Sequence, residues 1–91
     1  MSLRTFIFQL DGGGEVKTIT IDVNKTVKDL IDTYLKNKNL SNSQNDFAFM
    51  VGANPLKAKK NINSLIKNVS FLRPNATIKV REVDTKAGGR L

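Results

Sequence analysis

The two side chains that most often carry out chemistry in proteins are missing from this chain. Its 91 residues include neither histidine nor cysteine, so the commonest general base, the commonest metal ligand and the thiolate nucleophile are all absent. A histidine-based serine triad, a cysteine protease and a zinc hydrolase are excluded by inventory, and neither a disulfide nor a thiolate metal site can form. No catalytic residue, metal ligand or cofactor is therefore expected, and the chain is not expected to be an enzyme. The remaining stretch with chemical interest is the end, VREVDTKAGGRL, where Gly88-Gly89 stands just before Arg90-Leu91. Adjacent glycines keep the backbone free of side chains, which lets another protein's active site reach it. They equally suit the start of a flexible linker, and the choice depends on what precedes them.

Charge is the second chemical feature. The net charge of +7 is uneven. Through Asp46, six basic residues balance six acidic ones, whereas the nine basic residues beyond it face only Glu82 and Asp84. Lys57, Lys59, Lys60, Lys67, Arg73 and Lys79 form a candidate basic surface, with Arg81 close by. Such asymmetry points either to an anionic partner or to a solvated face that aids solubility. Among the aromatic residues of this half only Phe71 is a candidate for base stacking, and core placement suits it better, so nucleic-acid binding ranks low.

The elements that must position these features follow from periodicity. TFIFQL alternates Phe6, Phe8 and Leu10 against Thr5, Ile7 and Gln9, and KTITIDV alternates Ile19, Ile21 and Val23 against threonines and Asp22; both are strand patterns. The intervening DGGGE permits the positive φ angles of a hairpin. The period then becomes helical, with Val27, Leu30, Ile31, Tyr34 and Leu35 on one stripe. Thr26 is the natural N-cap, Asp29 suits the positive helix start, and Asp32 and Lys36 are spaced for an ion pair. The helix should end near Lys38, with Asn39 in the left-handed conformation and Leu40 folding back onto the core. FAFMV reads as a short strand stopped by GANP, Leu56 as an isolated buried residue, and KAKKNINSLIKNVSFL as an irregular crossover with a helical turn around 63–67. RPNA is a turn, and TIKVREV a last strand with Ile78 and Val80 inward. Phe6, Phe8, Ile19, Ile21, Val27, Leu30, Ile31, Tyr34, Phe47, Leu56, Ile78 and Val80 are the expected core. The single apolar stripe and the strands make an α+β domain, a four- to five-stranded mixed sheet packed on one helix, with the first and last strands adjacent at its centre. Residues 1–83 are expected to form the domain and 84–91 a flexible tail. No apolar run could span a bilayer as a helix, and the alternating start does not suit a signal peptide. A monomeric, cytoplasmic or nuclear domain is expected.

In this order the elements resemble ubiquitin and its relatives, over nearly the whole chain from Arg4 to Gly89. The sharpest local match is KTITIDV, near the second strand of ubiquitin in residues and position. TVKDL at the helix start, FAFMVG, Leu56 and a last strand followed by Gly-Gly also fall in the family's sequence. The resemblance implies a β-grasp fold. It further implies a protein modifier whose terminal glycine carboxylate, once Arg90-Leu91 is removed after Gly89, is activated and joined to lysines of target proteins. Its partners would be an activating enzyme, a conjugating enzyme and a processing protease, with Gly88 and Gly89 as the conjugation and processing site. The alternative is a genetically fixed ubiquitin-like docking domain of a larger protein, binding proteins or, less in keeping with the residues, RNA.

Departures from the family matter as much as the matches. The three places that build ubiquitin's apolar patch hold the 12–14 glycines, Ala48 and Arg81 here, which cannot supply buried apolar anchors. Receptors of ubiquitin itself are not expected to read this surface. Met50 and Val83, outward by alternation beside Ala48 and Arg81, mark a candidate interaction surface of different character, and Ile7 also points outward. Lys17 matches a lysine at the start of ubiquitin's second strand and is the candidate acceptor for chain building. Ala53-Asn54 replaces another chain-building position, and Ser41-Asn42 replaces a pair of prolines after the helix.

Overall fold

Alternating β-branched and aromatic residues build the sheet, and one amphipathic stripe builds the helix that covers it. In a computed structural model, residues 2–11, 15–38, 46–57 and 60–83 are described. The elements are β1 (Leu3–Leu10), β2 (Val16–Asp22), α1 (Val27–Asn37), β3 (Asp46–Val51), β4 (Asn54–Leu56), a 3-10 turn (Ile66–Asn68) and β5 (Thr77–Val83). The five strands form one sheet in the order β2-β1-β5-β3-β4. β1 and β5 run parallel at its centre, with Phe8 beside Ile78, and the other pairings are antiparallel. This is the expected mixed sheet, with the first and last strands adjacent.

Helix α1 starts where the sequence puts it. The Thr26 hydroxyl accepts from the Asp29 amide and the Asp29 carboxylate accepts from the Thr26 amide, both at 3.1 Å, a reciprocal capping box. Val27, Leu30, Ile31 and Tyr34 are its buried stripe. Lys38 is the C-cap, and Asn39 and Leu40 lie outside the described residues. The expected Asp32–Lys36 pair is replaced by Lys28–Asp32 at 3.1 Å. Both positions are one turn from Asp32, and its carboxylate reaches back toward the N-terminal neighbour, as helical side chains do.

The core lies between α1 and the inner sheet face. Tyr34 stacks on Phe8 with ring centroids 4.4 Å apart, and Phe49 meets both rings edge-on at 6.2–6.3 Å. Ten of the twelve expected core residues are buried; Ile21 and Phe47 are only half-buried and pack against the margin. Phe47 shares the inner face with Phe49 but sits nearer the strand end, opposite the exposed Glu82. Val23, Phe49, Ile66, Val69 and Leu72 complete the core.

The crossover departs most from expectation. Its helical turn is a single 3-10 turn at Ile66–Asn68, three residues later than the spacing suggests. Backbone bonds hold it: the Ile66 amide donates to the Lys25 carbonyl, Lys67 to Val23, and Val27 to Ser64. GANP is not only a stop. Gly52 at φ 62° opens a two-residue connection between paired Val51 and Asn54, and positive φ at the first central position is the type II′ pattern that suits strand twist. Pro55 in the following three-residue edge strand costs no ladder bond on its free side. In RPNA the Ala76 amide donates to the Arg73 carbonyl and Asn75 takes φ 64°, a type II turn with Pro74 and Asn75 at its centre.

Candidate interaction surfaces

Strict alternation decides which side chains of β5 a partner can see. Ile78 and Val80 face the helix and are fully buried, so Lys79, Arg81 and Val83 take the open face. Register then sets their neighbours: Met50 lies opposite Lys79 and Ala48 opposite Arg81. Ala48, Met50, Arg81 and Val83 thus lie on one face, with Lys79, which the sequence grouped with the general basic surface, among them. Ala48 and Met50 are half-buried, Lys79 and Arg81 exposed, and Val83 is 41% exposed. Ile7 stands on the same face, one strand over, paired with Thr77.

The remaining basic residues do not share that face. Lys57 follows β4, Lys60 and Arg73 lie in turns, and Lys67 is in the 3-10 turn; all four are exposed. Lys59 lies outside the described residues. Lys17 is half-buried, and alternation with Ile19 puts it on the helix side of the sheet, across from Phe8. Gly88 and Gly89, and the whole expected tail 84–91, are likewise outside the described residues, as is the 12–14 glycine turn; β5, from which the tail continues, is described to Val83.

A second feature lies between edge strand β2 and the helix. Thr20, Ile21, Lys25, Asp29, Thr33 and Lys36 help line an open cleft of about 390 Å³. Its carboxylate Asp29 is committed to the helix start: the Thr26 amide, followed by its hydroxyl, holds the carboxyl below the ordinary aspartate value of 3.8. Asp32, also on its wall, is ion-paired with Lys28. The other displaced group is Tyr34, whose hydroxyl burial pushes up from 10.0. Both shifts belong to structural groups, and no cluster of acidic side chains fit to hold a metal occurs among the described residues.

Solved structures of other proteins carry this arrangement. The fold is the ubiquitin-like β-grasp. A structure described as molecular mimicry of SUMO that promotes DNA repair matches with a TM-score of 0.69 and 21% identity, over 88% of this chain and 91% of the other. The ubiquitin-like domain of yeast Ddi1 matches with a TM-score of 0.67 and 14% identity, over 88% of each chain. A de novo design based on ubiquitin matches with a TM-score of 0.61 and 10% identity over the same shares. No protein-family model and no curated protein matches the sequence. Identities this low carry the fold alone, and ubiquitin-like folds generally bind other proteins.

Proposed function

We propose that this chain is a ubiquitin-like protein modifier, residues 1–83 forming the β-grasp domain and 84–91 its tail. The observation that carries the reading is the junction of a ubiquitin-like fold with Gly88-Gly89, separated by four residues from the described end of central strand β5. A protease hydrolyses the Gly89–Arg90 peptide bond, leaving a carboxylate on Gly89. That carboxylate attacks the α-phosphorus of ATP on an activating enzyme, giving an acyl adenylate and pyrophosphate. A cysteine thiolate of that enzyme displaces AMP, transthioesterification passes the acyl group to a conjugating enzyme, and a target lysine amine expels the thiol to form an isopeptide bond. The domain is the substrate throughout, in keeping with its lack of histidine and cysteine. A cytoplasmic or nuclear site of action belongs to the same proposal.

The test incubates the chain ending at Gly89 with ATP and activating enzymes and reads a thioester by its loss under reducing agent. Formation of that adduct, and its absence with Gly89→Ala, are the expected results; a methyl at Gly89 obstructs the narrow approach a glycine allows. The second reading, a docking domain within a longer protein, draws on the likeness to the Ddi1 domain. Mass spectrometry of the protein from its native cells separates the two, since a modifier is found ending at Gly89 and a docking domain never is.

A further inference from the structure

The open sheet face differs from the rest of the surface in having two cations set among apolar side chains. Lys79 and Arg81 are two residues apart on one strand, about 7 Å along it. Met50 and Ala48 oppose them, and exposed Val83 continues the row. Neither cation forms an ion pair among the described residues. Glu82, between Arg81 and Val83 in sequence, falls on the helix side by alternation. Asp22, in register with Leu3 on the far side of the sheet, is an acid that alternation places on the open face, and the Asp46 backbone pairs with Val83. Ala48, opposite Arg81, is the smallest residue of the group.

From this arrangement we infer that the β3–β5 face docks a protein segment that interleaves carboxylates with aliphatic side chains. Two charges at this spacing meet acidic residues two apart on an extended segment, whose repeat along a strand is the same. Met50 and Val83 provide the apolar contacts, and charge complementarity sets orientation and association rate. Nucleic acid fits less well. The aromatic side chains of the described sheet point into or along the core, so none is offered for base stacking on this face. The other described cations of the second half, which a phosphate backbone would need, are in the crossover and its turns. The inference deepens the protein-binding reading above and holds for a modifier and a docking module alike.

The experiment titrates the isotope-labelled domain with a short peptide alternating Glu and Leu, its Gln-for-Glu counterpart, and a single-stranded oligonucleotide of equal charge. Backbone amide shifts are followed at physiological salt. The Glu-Leu peptide is expected to shift amides 48–50 and 79–83, and the Gln version to bind more weakly by about tenfold. Lys79→Glu with Arg81→Glu should lose that binding while Lys67→Glu retains it, and Met50→Ser should weaken it with the cations in place. Thermal unfolding checks that each variant is folded; if the double reversal is not, Lys79→Gln with Arg81→Gln, which removes charge without repulsion, takes its place. Absence of shifts, shifts centred on Lys57, Lys60, Lys67 and Arg73, equal binding of both peptides, or preferential binding of the oligonucleotide would each overturn the inference. Thioester formation depends on the tail and is scored separately, so either proposal can fail while the other stands.

Discussion

Truncating Phe49 and Phe47 in turn tests the packing that places the open face. Both lie on the inner side of β3, two residues apart, but Phe49 is 5% exposed and edge-on to both Phe8 and Tyr34, whereas Phe47 is half-buried at the core margin. Phe49→Ala should cost about 3–5 kcal/mol, the range for a buried phenylalanine. Each aromatic pair contributes roughly 0.5–1.5 kcal/mol beyond area, so Phe49→Leu, which keeps most of the apolar volume, should still lose about 1–3 kcal/mol. Phe47 gives up less apolar area and joins no ring pair among the described residues, and Phe47→Ala should cost less, about 1–2 kcal/mol. Since a domain of this size has roughly 5–14 kcal/mol in hand, the variants remain measurable by urea unfolding with a shared m value. Equal costs at the two positions, or a larger one at Phe47, would refute the described position of β3. The partners assigned to Lys79 and Arg81 would fall with it.

The remaining predictions concern the helix and its two displaced titrations. Leu30→Ala, at a fully buried position, should cost about 2–5 kcal/mol by urea unfolding, and a near-neutral value would mean that the helix presents another stripe. Thr26→Ala should cost about 0.5–2 kcal/mol near neutral pH. The lowered Asp29 value favours the folded state where the carboxyl is ionised, so the contribution is present above the ordinary value of 3.8 and fades as pH falls through the lower folded value. The Thr26→Ala cost measured in acid should therefore be smaller than at neutral pH. The raised Tyr34 value has the opposite sense: its contribution is full below 10.0 and is lost as pH rises through the folded value. Spectrophotometric titration should show the tyrosinate appearing at higher pH in the folded protein than in urea.

What was legible in the sequence was what neighbouring residues decide. The period-two runs in β1, β2 and β5, the helical stripe and the Thr26–Asp29 cap all rest on spacings of two to four residues, and the structure has them. The parallel contact of β1 with β5 was reachable as well, because both strands alternate strongly and one helix has one sheet face to cover. The crossover was not legible, since its placement depends on bonds from Ile66 and Lys67 back to Lys25 and Val23, some forty residues away in sequence. β4 was hidden by its length and by Pro55. Lys79 was counted with the other cations because its neighbour Met50 is a matter of cross-strand register, which a strand's own residues do not reveal.

That same register divides the positive charge of the second half into two kinds. Lys57, Lys60, Lys67 and Arg73 occupy exposed positions between the buried anchors Leu56, Ile66, Val69, Leu72 and Ile78. Any soluble residue serves there, and their charge acts through the overall field. Lys79 and Arg81 are in a different position: Ile78 and Val80 must point at the helix, so what alternates with them has to stand on the open face, with a fixed spacing and fixed apolar neighbours. Reversing Lys60 and Lys67 changes net charge by as much as reversing Lys79 and Arg81. If total charge alone governs association with an acidic partner, the two double variants weaken it equally, with the same dependence on salt. If geometry governs it, the sheet pair weakens it far more, and the difference persists once added salt has screened the long-range field.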